Sequence, residues 1–377
     1  MREGADLIVI GGGLMGLWTA VLAARDGRRV RLLEAETIGR HASSASAGGV
    51  RSLNRHPAEI PLARAALPLW REAARDLGAD VGYVASGQIR VAEDEAGLAR
   101  LEDRAAATRA LGYTHEEIVG ANALFALEPA LAPHCLGALV VRDDGFADPL
   151  RTIHALSRAA HAAGVIVEEG RRVIGLAAGS PLIVVTESGE FTAPLVVNAA
   201  GAWGNAIAAL VGETVPVTPT ALQMSVTEPV APFVAAVLGT ESGMLSLKQS
   251  AAGHVVIGGG FAGHVDAAHR IGRPRPTLVS ENLANAARLF PHLDAARIVR
   301  TWAGLEGITR DGLPVISPSR KVSGLIHAFG FSAHGFALSP LVARLVMEIA
   351  DARPPSAPIT PFGVDRFQPA SEERRYA

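Results

Sequence analysis

The 377-residue chain reads as an α/β (α+β) protein in which a parallel-sheet layer, met near both ends, encloses a β-rich antiparallel insertion. Three features carry that reading. First, "DLIVI" (residues 6–10) is a short apolar run that meets glycines at once. An alanine-rich helical stretch (14–25, ended by Gly27) and a second run, "RVRLLE" (29–34), follow it. This is a βαβ opening whose first strand is buried on both faces. Second, over 214–257 the pattern changes to strands broken by proline and glycine turns. Third, a strand over 325–329 and a helix over 335–350 bring the α/β pattern back.

The remaining elements follow in order. Residues 37–51, "TIGRHASSASAGGVR", form a small-residue loop too long for a mere connector. Residues 58–77 and 93–111 have amphipathic helical periodicity, and 81–91 between them alternates like a hairpin. A helix over 149–163 is capped by Asp148, and strands follow at 165–167, 172–176, 182–186 and 195–198. "GMLSLKQSAAGHVVIGG" reads as a hairpin turning near Ala252 and Gly253. A helix over 277–290 and a strand over 299–308 complete the pattern, and the Pro-rich then charged tail after Arg353 is expected to fray.

Composition narrows the function. A net charge of −2 gives no global footprint for nucleic acid. The single cysteine, Cys135, rules out an internal disulfide and is expected to be a buried, inert thiol in a reducing compartment. Residues 7–24 and 191–212 are uncharged and mimic targeting or membrane segments. Glycines break both, so each reads as strand, glycine loop and helix, and the chain is expected to be soluble and cytoplasmic. His154, His161, His264 and His269 lack metal-like company, so no metal site is expected, and no Ser/His/Asp arrangement stands out.

The chemistry is in the glycines. Gly11-x-Gly13-x-x-Gly16 lies between strand and helix, and Glu34 follows 18 residues after Gly16 at the end of the second strand. Gly11 permits the tight turn, Gly13 admits a pyrophosphate, and Gly16 lets helix and strand approach. The helix N-terminus then faces phosphate, and Glu34 can accept from ribose hydroxyls. This is a Rossmann-like dinucleotide site. Gly258, Gly260 and Gly263 repeat the spacing, but no apolar helix follows, so they read as a hairpin exit. Three small-residue approaches distant in sequence suit a long, buried FAD better than NAD: residues 37–51, "LVVNAAGAWG" with Ala200, Gly201 and Trp203, and "GFSAHGF" before the last helix.

The segments "GGGLMG…LLE", "TIGRHASSASAGGV", "DDGFADP", "VVNAAGAW", "WAGLEGITRDGLPVI" and "GFSAHGF" occur in an order and spacing that resembles the glycine oxidase and D-amino acid oxidase family of FAD-dependent oxidoreductases. The nearer likeness is to its sarcosine oxidase β-subunit and proline/hydroxyproline dehydrogenase branch. The resemblance implies a discontinuous FAD-binding domain (1–79, 145–215 and 304–365), a β-rich antiparallel-sheet substrate domain (80–144 and 216–303) and a tail (366–377). It implies FAD contacts from Leu14, Met15, Glu34, Ala35, Ala42, Ser43, Ala47, Gly48, Gly49 and Val50, with Val173 at the adenine. Gly330, Phe331, Ser332, Ala333, His334, Gly335 and Phe336 are expected to cradle the isoalloxazine end.

The departures matter as much. Where the oxidases carry a carboxylate-clamping arginine after "AGL", this chain has Glu306. The lysine that follows "GHGF" in monomeric sarcosine oxidase is Ala337 here, and that enzyme's oxygen-promoting lysine aligns with Val256. No cysteine or histidine stands at the family's covalent attachment positions near Trp302 or residues 144–149, so noncovalent FAD is expected.

Arg51 is the first candidate for the substrate carboxylate, ahead of Lys248 and Arg55. His334 is the candidate for flavin polarisation, and Glu306 for the substrate amine. The expected activity is dehydrogenation of the C–N bond of a small amino or imino acid by hydride transfer to flavin N5, with a D-hydroxyproline-like secondary amine favoured. The alternatives are a peroxide-producing glycine, sarcosine or D-amino acid oxidase, the flavin subunit of a heteromeric amine or opine dehydrogenase, and a tRNA-modifying member, which the near-neutral charge disfavours. The electron acceptor stays open between a quinone, a partner subunit or peripheral membrane electron chain, and O2.

Overall fold

The structure, a computed structural model, describes residues 3–367. A six-stranded sheet runs in the order Val315–Pro318, Leu325–Phe329, Leu195–Asn198, Leu7–Ile10, Val30–Leu33, Ile166–Glu168. It is parallel except where Val315–Pro318 pairs antiparallel with Leu325–Phe329. The unbroken apolar run at its centre has a direct cause. Leu7 and Val9 point into the core under the helices, while Ile8 and Ile10 point into a second core against a four-stranded sheet. Helices Leu14–Arg25, Ile60–Leu77, Pro149–Ala162 and Gly335–Ala350 pack together on the first face.

Local chemistry sets the helix ends. Asp148 accepts from the Arg151 N–H at 3.0 Å, and Asp94 from the Gly97 N–H at 2.6 Å, caps worth about 1 kcal/mol each. Pro340 interrupts the last helix in its second turn, where its missing N–H would leave the Phe336 carbonyl unpaired. The Ser339 hydroxyl donates to that carbonyl instead, at 3.0 Å. Trp70 Nε1–H donates to Ala337 O at 2.8 Å and ties the helix to its neighbour.

The second lobe is a ten-stranded sheet, largely antiparallel. Its spine is the pairing of Val217–Pro229 with Ile298–Thr309 along nearly their whole lengths. Alternating burial along Val217–Pro229 shows one face inward and one outward. Helix Pro276–Leu289 closes this lobe's own core, which contains Cys135. Burial pushes the Cys135 thiol up to about 11.

Four expectations need correction. Residues 81–91 do not form a hairpin. Gly82 and Gly87 adopt positive φ, and Gln88–Ala92 pairs instead with Gly137–Val141 and, in parallel, with Val237–Thr240. Alternation signals a strand but not its partner. The strands Glu117–Gly120 and Gly137–Val141, unforeseen, also join this sheet. The expected domain boundary at 304 falls inside Ile298–Thr309, a strand long enough to serve the ten-stranded sheet and still reach the cavity. The tail does not fray at Arg353: Phe362 and Val364 are buried in 3₁₀ turns, and only residues 368–377 lie outside the described part. Among the described residues no helix is long and apolar enough to cross a membrane.

Candidate active site

A cavity of about 760 Å³ runs from the glycine turn of the parallel sheet to the inner face of the ten-stranded sheet. At the first end Gly11 has φ 110°, and a β-carbon there would stand 2.5 Å from Ala199 O. A β-carbon on Gly16 would stand 1.9 Å from Gly11 O, so helix and strand touch through glycine. The helix that starts at Leu14 has no side-chain cap on its N-cap residue Gly13 and no acid in its first turn, which suits a phosphate at its N-terminus. Ser43 Oγ reaches back and accepts the Leu14 N–H at 3.0 Å. Glu34 accepts from Gly12 N–H at 2.6 Å and Glu36 N–H at 2.8 Å, and burial raises its pKa. The acid therefore staples the turn as well as facing the cavity.

Loop 37–51 lies along the middle. The Trp302 Nε1–H donates to Ala45 O at 3.0 Å, fixing the short helix Ala42–Ala45 to the long strand of the other lobe. At the far side, Gly330, Ser332 and Ala333 all have positive φ (70°, 49° and 68°) ahead of the last helix. Two of these are not glycine, and each costs roughly 1–2 kcal/mol. Hydrogen bonds hold the turn in place: Ser332 N–H to Gly307 O at 3.1 Å, Thr309 N–H to Ser332 Oγ at 3.1 Å, and Ala333 N–H to Glu306 Oε1 at 2.7 Å.

Glu306 thus faces the cavity with one oxygen engaged. Burial pushes its pKa up to about 7, against the Ala333 hydrogen bond and the nearby Arg55 charge. Arg55 is fully enclosed, and its Nη1 has no partner. Burial and the neighbouring Arg51 bring its pKa down to about 9. Arg51 lines the same space, and among the described residues no hydrogen bond or ion pair meets its guanidinium. Both arginines sit on a segment pinned by buried carboxylates. Asp144 accepts from the Ser52 and Leu53 N–H groups at 2.8 and 2.9 Å, and Glu116 from the Asn54 N–H at 2.6 Å. Gln88 and Arg90, two apart on one strand and so on one face, also reach the cavity. Arg90 is paired with Glu241, whereas Gln88 Oε1 is buried with no partner. Leu222, Met224 and Met244 supply an apolar wall.

Most of the expected residues meet here. Gly11, Gly13, Leu14, Met15, Glu34, Ala35, Ala42, Ser43, Ala47, Gly49, Val173, Ala200, Gly201, Trp203, Gly330, Phe331, Ala333, Gly335 and Phe336 line the cavity, as do Arg51 and Glu306. Others do not. Gly16 is spent on helix–strand packing, Gly48 packs on Ala147 O, and Val50 is buried in a two-stranded pairing. The Ser332 hydroxyl is turned to Thr309. His334 turns its Nδ1 to Glu59 at 2.9 Å, and burial with the adjoining arginines holds its pKa well below the usual range. Lys248 is carried away from the cavity: Nζ lies 4.2 Å from the Phe146 ring centroid and 3.4 Å from Ala147 O, and burial lowers its pKa to about 8. Gln88, Arg90, Met244 and Arg270 reach the site with no sequence signal, because each comes from the second lobe.

A parallel-sheet dinucleotide end that opens into a pocket beneath an antiparallel lobe defines a flavoprotein-type oxidoreductase. The profile of the DAO family, "FAD dependent oxidoreductase", matches residues 6–349. The chain belongs to that family, and FAD is its cofactor. It is similar to glycine oxidase of Geobacillus kaustophilus (strain HTA426), 29% identical over 375 residues, 97% of this chain and 98% of that one. It is also similar to sarcosine oxidase subunit beta of Rhizobium meliloti (strain 1021), 24% identical over 96% of this chain and 88% of that one. The crystal structure of glycine oxidase from Geobacillus kaustophilus superposes with a TM-score of 0.90 at 27% identity, covering 97% of this chain and 99% of that one. The residues present fit the cofactor: an uncapped helix end, a glycine cradle, a buried acid and a cavity within the roughly 300–1,000 Å³ of ligand sites.

Proposed function

We propose that the protein dehydrogenates the C–N bond of a small α-amino or α-imino acid, with a hydroxyproline-like secondary amine as the favoured substrate. One observation supports this above the rest: Arg51 and Arg55 are neighbouring guanidiniums at the cavity whose charge no carboxylate pairs with directly. Such a pair calls for an anion, and guanidinium geometry suits a carboxylate. Glu306 lies close enough to Arg55 for their charges to interact and leaves one oxygen for a substrate N–H. With a pKa of about 7 it can take the proton of a bound ammonium. The freed lone pair then forms the C=N bond as the α-hydrogen leaves with its electron pair. Bound FAD supplies the hydride acceptor. The unpartnered Gln88 amide and the Leu222–Met224–Met244 wall suit a ring that carries a hydroxyl. Similarity to a sarcosine oxidase β-subunit favours an electron acceptor other than O2, such as a partner subunit.

The experiment is the visible spectrum of the holoenzyme without oxygen, before and after cis-4-hydroxy-D-proline. Bleaching of the flavin band, lost in Arg55→Ala with flavin still bound, is the expected result. A band that persists with this compound but bleaches with glycine, sarcosine or an opine replaces the substrate. Bleaching that is indifferent to Arg55 and Arg51 overturns the anchoring role. Rapid O2 consumption during turnover overturns the acceptor.

A further inference from the structure

The turn between strands His264–Asp266 and Ile271–Arg273 reaches from the ten-stranded sheet to the dinucleotide end of the cavity. Arg270 lies in that turn with φ 55°, a left-handed backbone that arginine rarely adopts. Its side chain is 16% exposed, and its guanidinium carbon stands 3.9 Å from the Trp203 ring centroid. Its Nε is buried and has no hydrogen bond; Glu36 Oε1, at 3.3 Å, is near but misaligned.

Glu36 is already crowded. Arg40 is ion-paired to it, and His41 Nε2 stands 3.5 Å from the same oxygen that Arg270 approaches. Arg172 adds a further positive charge at Arg270, opposed by Glu36 and Glu34. Arg40, His41, Arg172, Trp203 and Arg270 all line the cavity. A guanidinium stacked on an aromatic face, with an unmet buried donor and surplus positive charge around it, is built to receive an anion. The strained turn that carries it is the kind found at ligand clamps.

We propose that Arg270 is a cofactor-binding residue. It closes the adenosine diphosphate half of the FAD site from the opposite lobe, donating to phosphate while its plane rests on Trp203. FAD then ties the two lobes together, and the second lobe controls cofactor retention as well as the substrate pocket. The inference depends on the family's cofactor and not on which substrate is oxidised.

The test is FAD release from full-length holoenzyme, followed by recovered flavin fluorescence on dilution, with ADP and riboflavin titrated into the FAD-stripped chain. Arg270→Ala is expected to release FAD about tenfold faster or more and to weaken ADP binding similarly, the loss of one charge-assisted contact. Riboflavin affinity stays within about twofold. Arg270→Lys keeps part of the retention, and Glu36→Gln does not speed release. Unchanged release in Arg270→Ala overturns the proposal, as does an equal loss of riboflavin. So does a Glu36→Gln variant that mimics Arg270→Ala, since Arg270 would then serve only as that acid's partner. Should Arg270→Ala fail to fold, Trp203→Leu removes the platform without touching a charge; it too must speed release, and unchanged release there counts against the proposal.

Discussion

The two ends of one cavity are built by different means. The dinucleotide end is mostly backbone: glycines at Gly11 and Gly16, a helix terminus, and a single acid, all within the first βαβ unit. The substrate end is mostly side chain. Arg51 and Arg55 come from a loop, Gln88 from a distant strand, Glu306 from another, and the turn at Ser332 and Ala333 from the last helix. A backbone site fails when space is filled. A side-chain site fails when charge is lost.

That contrast ranks the expected effects. The largest is Gly16→Val, whose β-carbon collides with the Gly11 carbonyl and cannot be accommodated without moving the strand. The purified protein should have no flavin absorbance and a lowered Tm, whereas no single change at the substrate end should abolish flavin binding. Arg55→Ala comes next. Removing a buried carboxylate partner should cost about 3 kcal/mol in kcat/KM, roughly a hundredfold, mostly through KM, with Arg55→Lys recovering part. Because Arg55 is a buried cation with an unmet donor, the substrate-free Tm should not fall. A large drop would assign it a structural role instead.

Glu306→Gln is subtler. The folded-state pKa, about 7, exceeds the ordinary value of 4.5, so ionisation opposes folding. The penalty is absent below about pH 4.5, grows to about pH 7 and stays above it. Glu306→Gln should therefore raise Tm at pH 8 more than at pH 5. In the wild type kcat/KM should rise with pH through about 7 as the carboxylate forms, and that limb should vanish in the variant. A limb that survives would mean another group takes the proton.

The smallest functional effect is expected at Lys248→Met, within about threefold of wild-type kcat/KM, since the ammonium lies against Phe146 and Ala147 and not on the cavity. Its pKa is lowered from 10.5 to about 8 by burial. The charged form is thus disfavoured in the fold, a cost felt in full below about pH 8 and gone above 10.5. Thermal melts at pH 7 and pH 10 should show Lys248→Met stabilising at the first and nearly neutral at the second.

Legibility follows the same division. The glycine spacing, Glu34, the small-residue loop at 37–51 and the turn before the last helix were readable because short-range backbone demands leave residue types at fixed offsets. Gly48 and Val50 belonged to the right segment yet point away from the cavity, since a segment's identity does not say which of its residues face inward. His334 shows the limit more sharply. Its place in a glycine turn suggested the flavin, but Glu59, 275 residues away, takes its ring nitrogen.

Local sequence, then, was enough for the parallel layer, the dinucleotide site and the antiparallel lobe, because periodicity and glycine placement are properties of neighbouring residues. Which cations meet the substrate was decided by folding. Arg55 became a site residue when Asp144 and Glu116 pinned its segment, and Lys248 ceased to be one when its stem carried the ammonium to Phe146. Arg270 came within reach of the cofactor site only because strand pairing folds the second lobe back over the first. Burial and Coulomb fields depend on distances through space, and those distances exist only once the two lobes have closed on each other.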